Sequence, residues 1–172
     1  MLKTLSILVG IFLSVGLASR ATNAQIQTQN QINETTVILQ QAKLCLTKTA
    51  NSGKYDALKL HTNLDDPKLI NGAMATDERY ATREEAVLIK QRHEELEPCK
   101  RKLFDGLASI YPDLQLVLIN IEIEGKRNTK SLIERKITWG QFNQNLLKLA
   151  KQSQTDIQPV IQRIQDKIAL GK

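Results

Sequence analysis

The amino-acid sequence predicts an all-α fold: an antiparallel helical bundle with kinked helices, stapled by one disulfide. Three observations carry this expectation. Apolar residues recur at spacings of three and four over long stretches, which places them on single helical faces. Two capping-box sequences, Thr82-Arg83-Glu84-Glu85 and Thr138-Trp139-Gly140-Gln141, mark helix starts. Pro98 and Pro159 fall inside otherwise continuous periodic runs, where proline removes a helix hydrogen bond and bends the axis.

Residues 1–24 have the three parts of a cleavable secretory signal peptide. Lys3 supplies positive charge, Leu5 to Ala18 is an almost uncharged apolar run, and small residues follow. The run is shorter than the about 20 apolar residues of a spanning helix and is interrupted by Gly10, Ser14 and Gly16. Cleavage is expected after Ala24, with Thr22 three residues before the cut; cleavage after Ala18, with Gly16 at that place, is the alternative. No cysteine lies near either cut, so a lipid-modified cysteine is not expected, and the mature chain is expected to carry no transmembrane anchor.

The mature chain, residues 25–172, is long enough for a single helical domain that buries roughly 68 to 70% of its unfolded surface. Loss of Lys3 and Arg20 with the leader lowers the formal charge from +6 to +4, a modest surplus. Both cysteines, Cys45 and Cys99, fall in this part, where an oxidising compartment allows a disulfide between them. Two buried free thiols are the alternative.

Residues 25–32 offer little to bury and are expected to be flexible. From Asn33 to Ala50, Leu39, Ala42 and Leu46 define a helix face, stopped by Asn51-Ser52-Gly53. Lys54 to Thr82 is irregular, with Asp65-Asp66-Pro67 suited to opening a short helix and Asn71-Gly72 to a turn. A connection of such length is either functional or poorly ordered, which makes it the first place to look for a binding surface.

A long helix should start at the Thr82 capping box. Ile89, His93, Leu96, Cys99, Leu103, Leu107 and Ile110 then hold one face through Pro98, which predicts one kinked helix or two helices meeting at Glu97 and Pro98. Residues 114–123 are ambiguous, because the leucines and isoleucines partly follow a strand period and partly a helical one. Pro112 and Asp113 suit a helix start, and a lone strand would have no partner. Helix is expected to resume after Gly125 and a polar stretch, through Arg135. In the last helix Ile137 and Phe142 occupy hydrophobic-staple positions, and Phe142, Leu146, Leu149, Ser153, Ile157, Val160, Ile164 and Ile168 share a face that bends near Pro159.

Chemical signatures are sparse. His93 and Glu97 stand one helical turn apart, where imidazole and carboxylate could share a metal ion. On an apolar face, however, a partly buried, hydrogen-bonded histidine is the commoner outcome, and no metal or cofactor is expected. His61 stands alone among loop residues. The carboxylate pairs Asp65-Asp66, Glu84-Glu85 and Glu94-Glu95 are adjacent in sequence and would not face one another on a helix. No Ser-His-Asp arrangement, haem motif or paired-cysteine zinc pattern occurs. Lys100-Arg101-Lys102 is the densest basic run and reads as a solvated helix face or a contact for an anionic surface. Nucleic acid is not an expected partner, because stacking aromatics are missing. Trp139, the single tryptophan, is a candidate interface anchor or a packing residue.

The segment Ile137-Thr138-Trp139-Gly140-Gln141-Phe142-Asn143, with the placement of Cys45 and Glu97-Pro98-Cys99, resembles small exported all-helical proteins of Gram-negative bacteria that have no assigned activity. The resemblance implies a periplasmic all-helical protein and transfers no catalytic residue. The expected function is that of a periplasmic or secreted, non-enzymatic binding or interaction protein. Its partner would be an unknown protein or small ligand, with Trp139, His93, Lys100, Arg101 and Lys102 as candidate interaction residues. A small-ligand carrier with a pocket between helices, or an enzyme acting on cell-wall material, are the alternatives.

Overall fold

The computed structural model of the protein describes residues 23–50 and 52–169. The expected signal peptide therefore lies outside the described residues, except for Asn23 and Ala24. The described residues form five α-helices and two short 3-10 turns, with no strand among them. α1 is Asn23–Ala50, α2 the single turn Gly72–Ala75, α3 Arg83–Ala108, α4 Pro112–Ile133 and α5 Trp139–Ala169. The 3-10 turns are Asp56–Leu60 and Pro67–Leu69. No helix among the described residues is long and apolar enough to cross a membrane.

α1 begins well upstream of Asn33, and the segment expected to be flexible is helical. Ile32 and Thr35 are buried with Leu39, Ala42 and Leu46, so the spacing of three and four extends a turn further than the leucines alone suggest. Thr35 and Thr36 satisfy their hydroxyls by donating to the carbonyls of Gln31 and Ile32, each at 2.8 Å. Glutamine is a good helix former, so the seam's helix runs on through the glutamine-rich stretch.

α1 and α3 run antiparallel: Cys45 is disulfide-bonded to Cys99 with a Cα–Cα distance of 5.7 Å, and Ile38 lies over Gly106. A Cβ at Gly106 would stand 2.9 Å from Ile38, so glycine sets how closely the two helices approach. α4 packs antiparallel on α3 and α5 antiparallel on α4, while α2 and the Pro67–Leu69 turn lie against α5 and the Asp56–Leu60 turn against α3.

The capping box at Thr82 forms as expected, with Glu85 N–H donating to Thr82 Oγ1 at 3.1 Å and Thr82 N–H donating to Glu85 Oε2 at 2.8 Å. From there α3 is one continuous helix through Pro98, not two. Proline deprives only the Glu94 carbonyl of its amide, while Leu96, Cys99, Leu103 and Leu107 are buried on either side. α5 likewise continues through Pro159.

α4 resolves the ambiguous segment as helix and does not break at Gly125. Leu114 and Leu118 are buried, whereas Leu116 and Ile123, the residues that suggest a strand period, face solvent. α4 ends earlier than expected. Arg135 takes φ 56°, and the amides of Arg135 and Lys136 donate to the carbonyls of Leu132 and Ser131, both at 2.9 Å. This is a Schellman stop with arginine where glycine is usual.

The buried apolar side chains form two clusters. One gathers Ile32, Leu39 and Leu46 of α1 with Leu96, Leu103 and Leu107 of α3, Leu114 and Leu118 of α4, and Ile157 to Ile164 of α5. The other gathers Tyr55, Leu58, Ala81, Ile89 and Leu132 around Trp139 and Phe142. Between the two, α3 and α4 place polar groups.

Candidate functional site

Two polar assemblies lie inside this bundle. The first is where the irregular segment 54–82 docks on the start of α5. Its backbone closes the helix: Trp139 N–H donates to the Arg79 carbonyl at 2.9 Å and Gly140 N–H to the Asp77 carbonyl at 2.7 Å. These bonds satisfy amides that a helix N-terminus otherwise leaves without an acceptor. Asn143, fully buried, donates through Nδ2 to the carbonyls of His61 at 2.7 Å and Met74 at 2.8 Å. Gln144 Nε2 donates to the Ala75 carbonyl at 2.8 Å.

His61 sits at the centre of this dock. Its Nδ1 is 3.1 Å from Asp77 Oδ2, its Nε2 is 2.9 Å from Glu85 Oε1, and its ring stacks on Trp139 with centroids 4.9 Å apart. The Arg79 guanidinium grips Asp77 through two bonds of 2.8 and 2.7 Å. Those bonds outweigh the opposing effect of burial and hold the Asp77 carboxyl far below the usual carboxylate range. Glu85 serves the α3 cap, His61 and, at 3.4 Å, the Trp139 indole N–H. A histidine between two carboxylates is a constellation that can move protons. Here His61 is 7% exposed and its two ring nitrogens contact Asp77 and Glu85, so the ring ties the loop to the start of α3.

The second assembly lies along α3 and α4. Lys100 Nζ donates to Glu122 Oε1 at 2.6 Å, and both residues are buried. Lys126 approaches Glu97 at 3.2 Å and Glu122 at 3.8 Å. His93 Nε2 stands 3.9 Å from Glu97 Oε2. Burial, with the positive charge of Lys100 second, lowers the His93 pKa, which keeps its ring neutral at neutral pH. The Glu97 pKa is also lowered: burial works against the carboxylate, but the hydrogen bond from Lys126 and the surrounding cations prevail.

The residues singled out from the sequence separate in three dimensions. Trp139 is fully buried, so it is a packing residue and offers no surface to a partner. His93 is half-buried in the second assembly. Lys100 points into the bundle and not into solvent, unlike its exposed neighbours Arg101 and Lys102. The latter two border a shallow groove of about 470 Å³ with Glu94, Glu97, Pro98 and Asp105. Cys45 and Cys99 are joined. Sequence reasoning left His61 as an isolated loop residue and passed over Asp77 and Arg79, because no local spacing joins the pair to His61, Glu85 or Trp139. It read Glu85 as a cap and as one of a pair of adjacent carboxylates that would not face one another.

The surface carries one further pattern. Ile26, Val37 and Leu44 of α1 are 49%, 49% and 71% exposed. At 100° per residue they fall on one line, opposite the face that packs on α3. Asn33 falls on the line between Ile26 and Val37, and Asn30, Gln40 and Gln41, exposed and uncharged, flank it.

No protein-family model matches the chain, and neither a curated protein nor a solved structure shows significant similarity to it.

Proposed function

We propose that the protein is an exported, non-enzymatic interaction protein of the periplasm, whose bundle presents the outer face of α1 to an amphipathic helix of a partner protein. The observation that carries this reading is the exposed line of Ile26, Val37 and Leu44. A helix needs one apolar face to join its own fold, and α1 carries three further apolar side chains on the opposite side. The line runs over 18 residue steps, about 27 Å, which suits a partner helix laid along it. Its uncharged amide borders select a partner face of no strong charge.

The reading also rests on how the interior is used. His61, Asp77 and Glu85 are engaged in closing the fold, which leaves the outer surface as the place where another molecule can act. The disulfide between Cys45 and Cys99 fits an oxidising compartment outside the cytoplasm.

The test is capture from periplasmic extract by the mature chain with a photoreactive residue in place of Gln40, which is exposed beside the line and is kept in every variant. A discrete cross-linked partner is expected, lost in the Val37→Glu/Leu44→Glu variant with melting temperature unchanged, because both positions are exposed. Cross-linking solely to a second copy would replace the partner with self-association. Equal capture by the variant would overturn the reading.

A further inference from the structure

We propose that His93, Glu97 and Glu122 form a binding site for one divalent transition-metal ion of the class that imidazole favours, such as zinc or cobalt. Each offers one ligand atom, and all three atoms lie within 4.8 Å of one another. Among the described residues no other group of histidine, cysteine and acidic side chains gathers in this way. Two ligands bonded at about 2.1 Å to a tetrahedral ion stand about 3.4 Å apart. The 3.9 Å between His93 Nε2 and Glu97 Oε2 therefore needs only a small closure.

His93 and Glu97 are one turn apart on α3, so one helix face presents both, and Glu122 reaches across from α4. Lys100, donating to Glu122 Oε1, orients that carboxylate in the manner of the outer hydrogen bonds that aim metal ligands. Three protein ligands leave a fourth position for water. One imidazole with two carboxylates favours zinc, cobalt or nickel over magnesium or calcium, which prefer all-oxygen surroundings.

Lys126 holds the ion's place. Its ammonium bridges Glu97 and Glu122, but its side chain is 41% exposed and can turn out to water. Binding is thus an exchange of one cation for another on the same two carboxylates. Lys100 stays behind and moderates the affinity, since a positive charge remains beside the ion.

The exchange gives the test its sign. The oxidised, EDTA-stripped mature chain is titrated with Zn²⁺ against a chromophoric chelator and with Co²⁺ by visible absorption. One equivalent is expected to bind, with the intense d–d bands of a low-coordinate site. His93→Ala should abolish it. Lys126→Met should tighten it roughly tenfold or more, because the competing cation is gone. A purely structural ion-pair network predicts no such gain. If His93→Ala unfolds, the Lys126→Met titration decides alone. Absence of saturable one-to-one binding up to about millimolar metal, undiminished binding by His93→Ala, or no gain in Lys126→Met would overturn the site.

Discussion

At the scale of single residues, the segment Ile137 to Asn143 shows what a local pattern can and cannot say. Thr138, Gln141, Ile137 and Phe142 were legible as cap and staple, and the cap forms, with Thr138 N–H donating to Gln141 Oε1 at 3.0 Å and Gln141 N–H to Thr138 Oγ1 at 3.2 Å. The tasks of Gly140 and Asn143 were not legible, because the groups they meet lie some 60 to 80 residues earlier in the chain. A Cβ at Gly140 would stand 2.9 Å from the Asp77 backbone, which cannot step aside as a side chain can. Gly125, by contrast, has its nearest neighbour at 3.9 Å. The two glycines should therefore respond to alanine with opposite signs. Gly140→Ala should lose roughly 1 to 3 kcal/mol through overpacking. Gly125→Ala should gain up to about 1 kcal/mol from helix propensity. Urea unfolding of both variants checks the pair; equal responses would mean that the contact between loop and helix is not tight.

At the scale of elements, helix existence was readable wherever apolar residues recur at three and four, and boundaries failed where polar residues belong to the seam. α4 was ambiguous because two exposed side chains, Leu116 and Ile123, mimic a strand. Lys100 was read as part of a solvated run, although its spacing from Leu96 and Leu103 is that of a core position; its neighbours Arg101 and Lys102 hid it. The buried pair it forms with Glu122 couples α3 to α4 at one register, and a charge left there without its partner is costly. Lys100→Met alone or Glu122→Leu alone should each lose about 3 to 5 kcal/mol, while the double variant should return close to the original stability. A double-mutant cycle by denaturant unfolding measures this directly. Additive losses would show that water reaches the pair and that it contributes nothing to register.

At the scale of the whole molecule, the disulfide partner was legible from a count of two cysteines, but the division of the interior into two clusters was not, since it depends on how helices align. The disulfide matters unequally to the two. α1 takes α3 as its principal helical neighbour and exposes its opposite face, whereas the Trp139 cluster is tied by the docked loop, the α3 cap and the start of α5. Cys45 and Cys99 close a loop of 54 residues, which on the chain-entropy account stabilises by about 4 kcal/mol. In a Cys45→Ser/Cys99→Ser variant most of that loss should fall on α1. Amides from Ile32 to Leu46 should lose hydrogen-exchange protection first, while those of Phe142 and Asn143 keep theirs at the same denaturant concentration. The interaction face proposed for α1 would then depend on oxidation, because a helix that opens cannot present a straight apolar line. Simultaneous loss of protection in α1 and at Asn143 would instead mean that the two clusters open as a single unit, with α1 no more detachable than the helices beneath it.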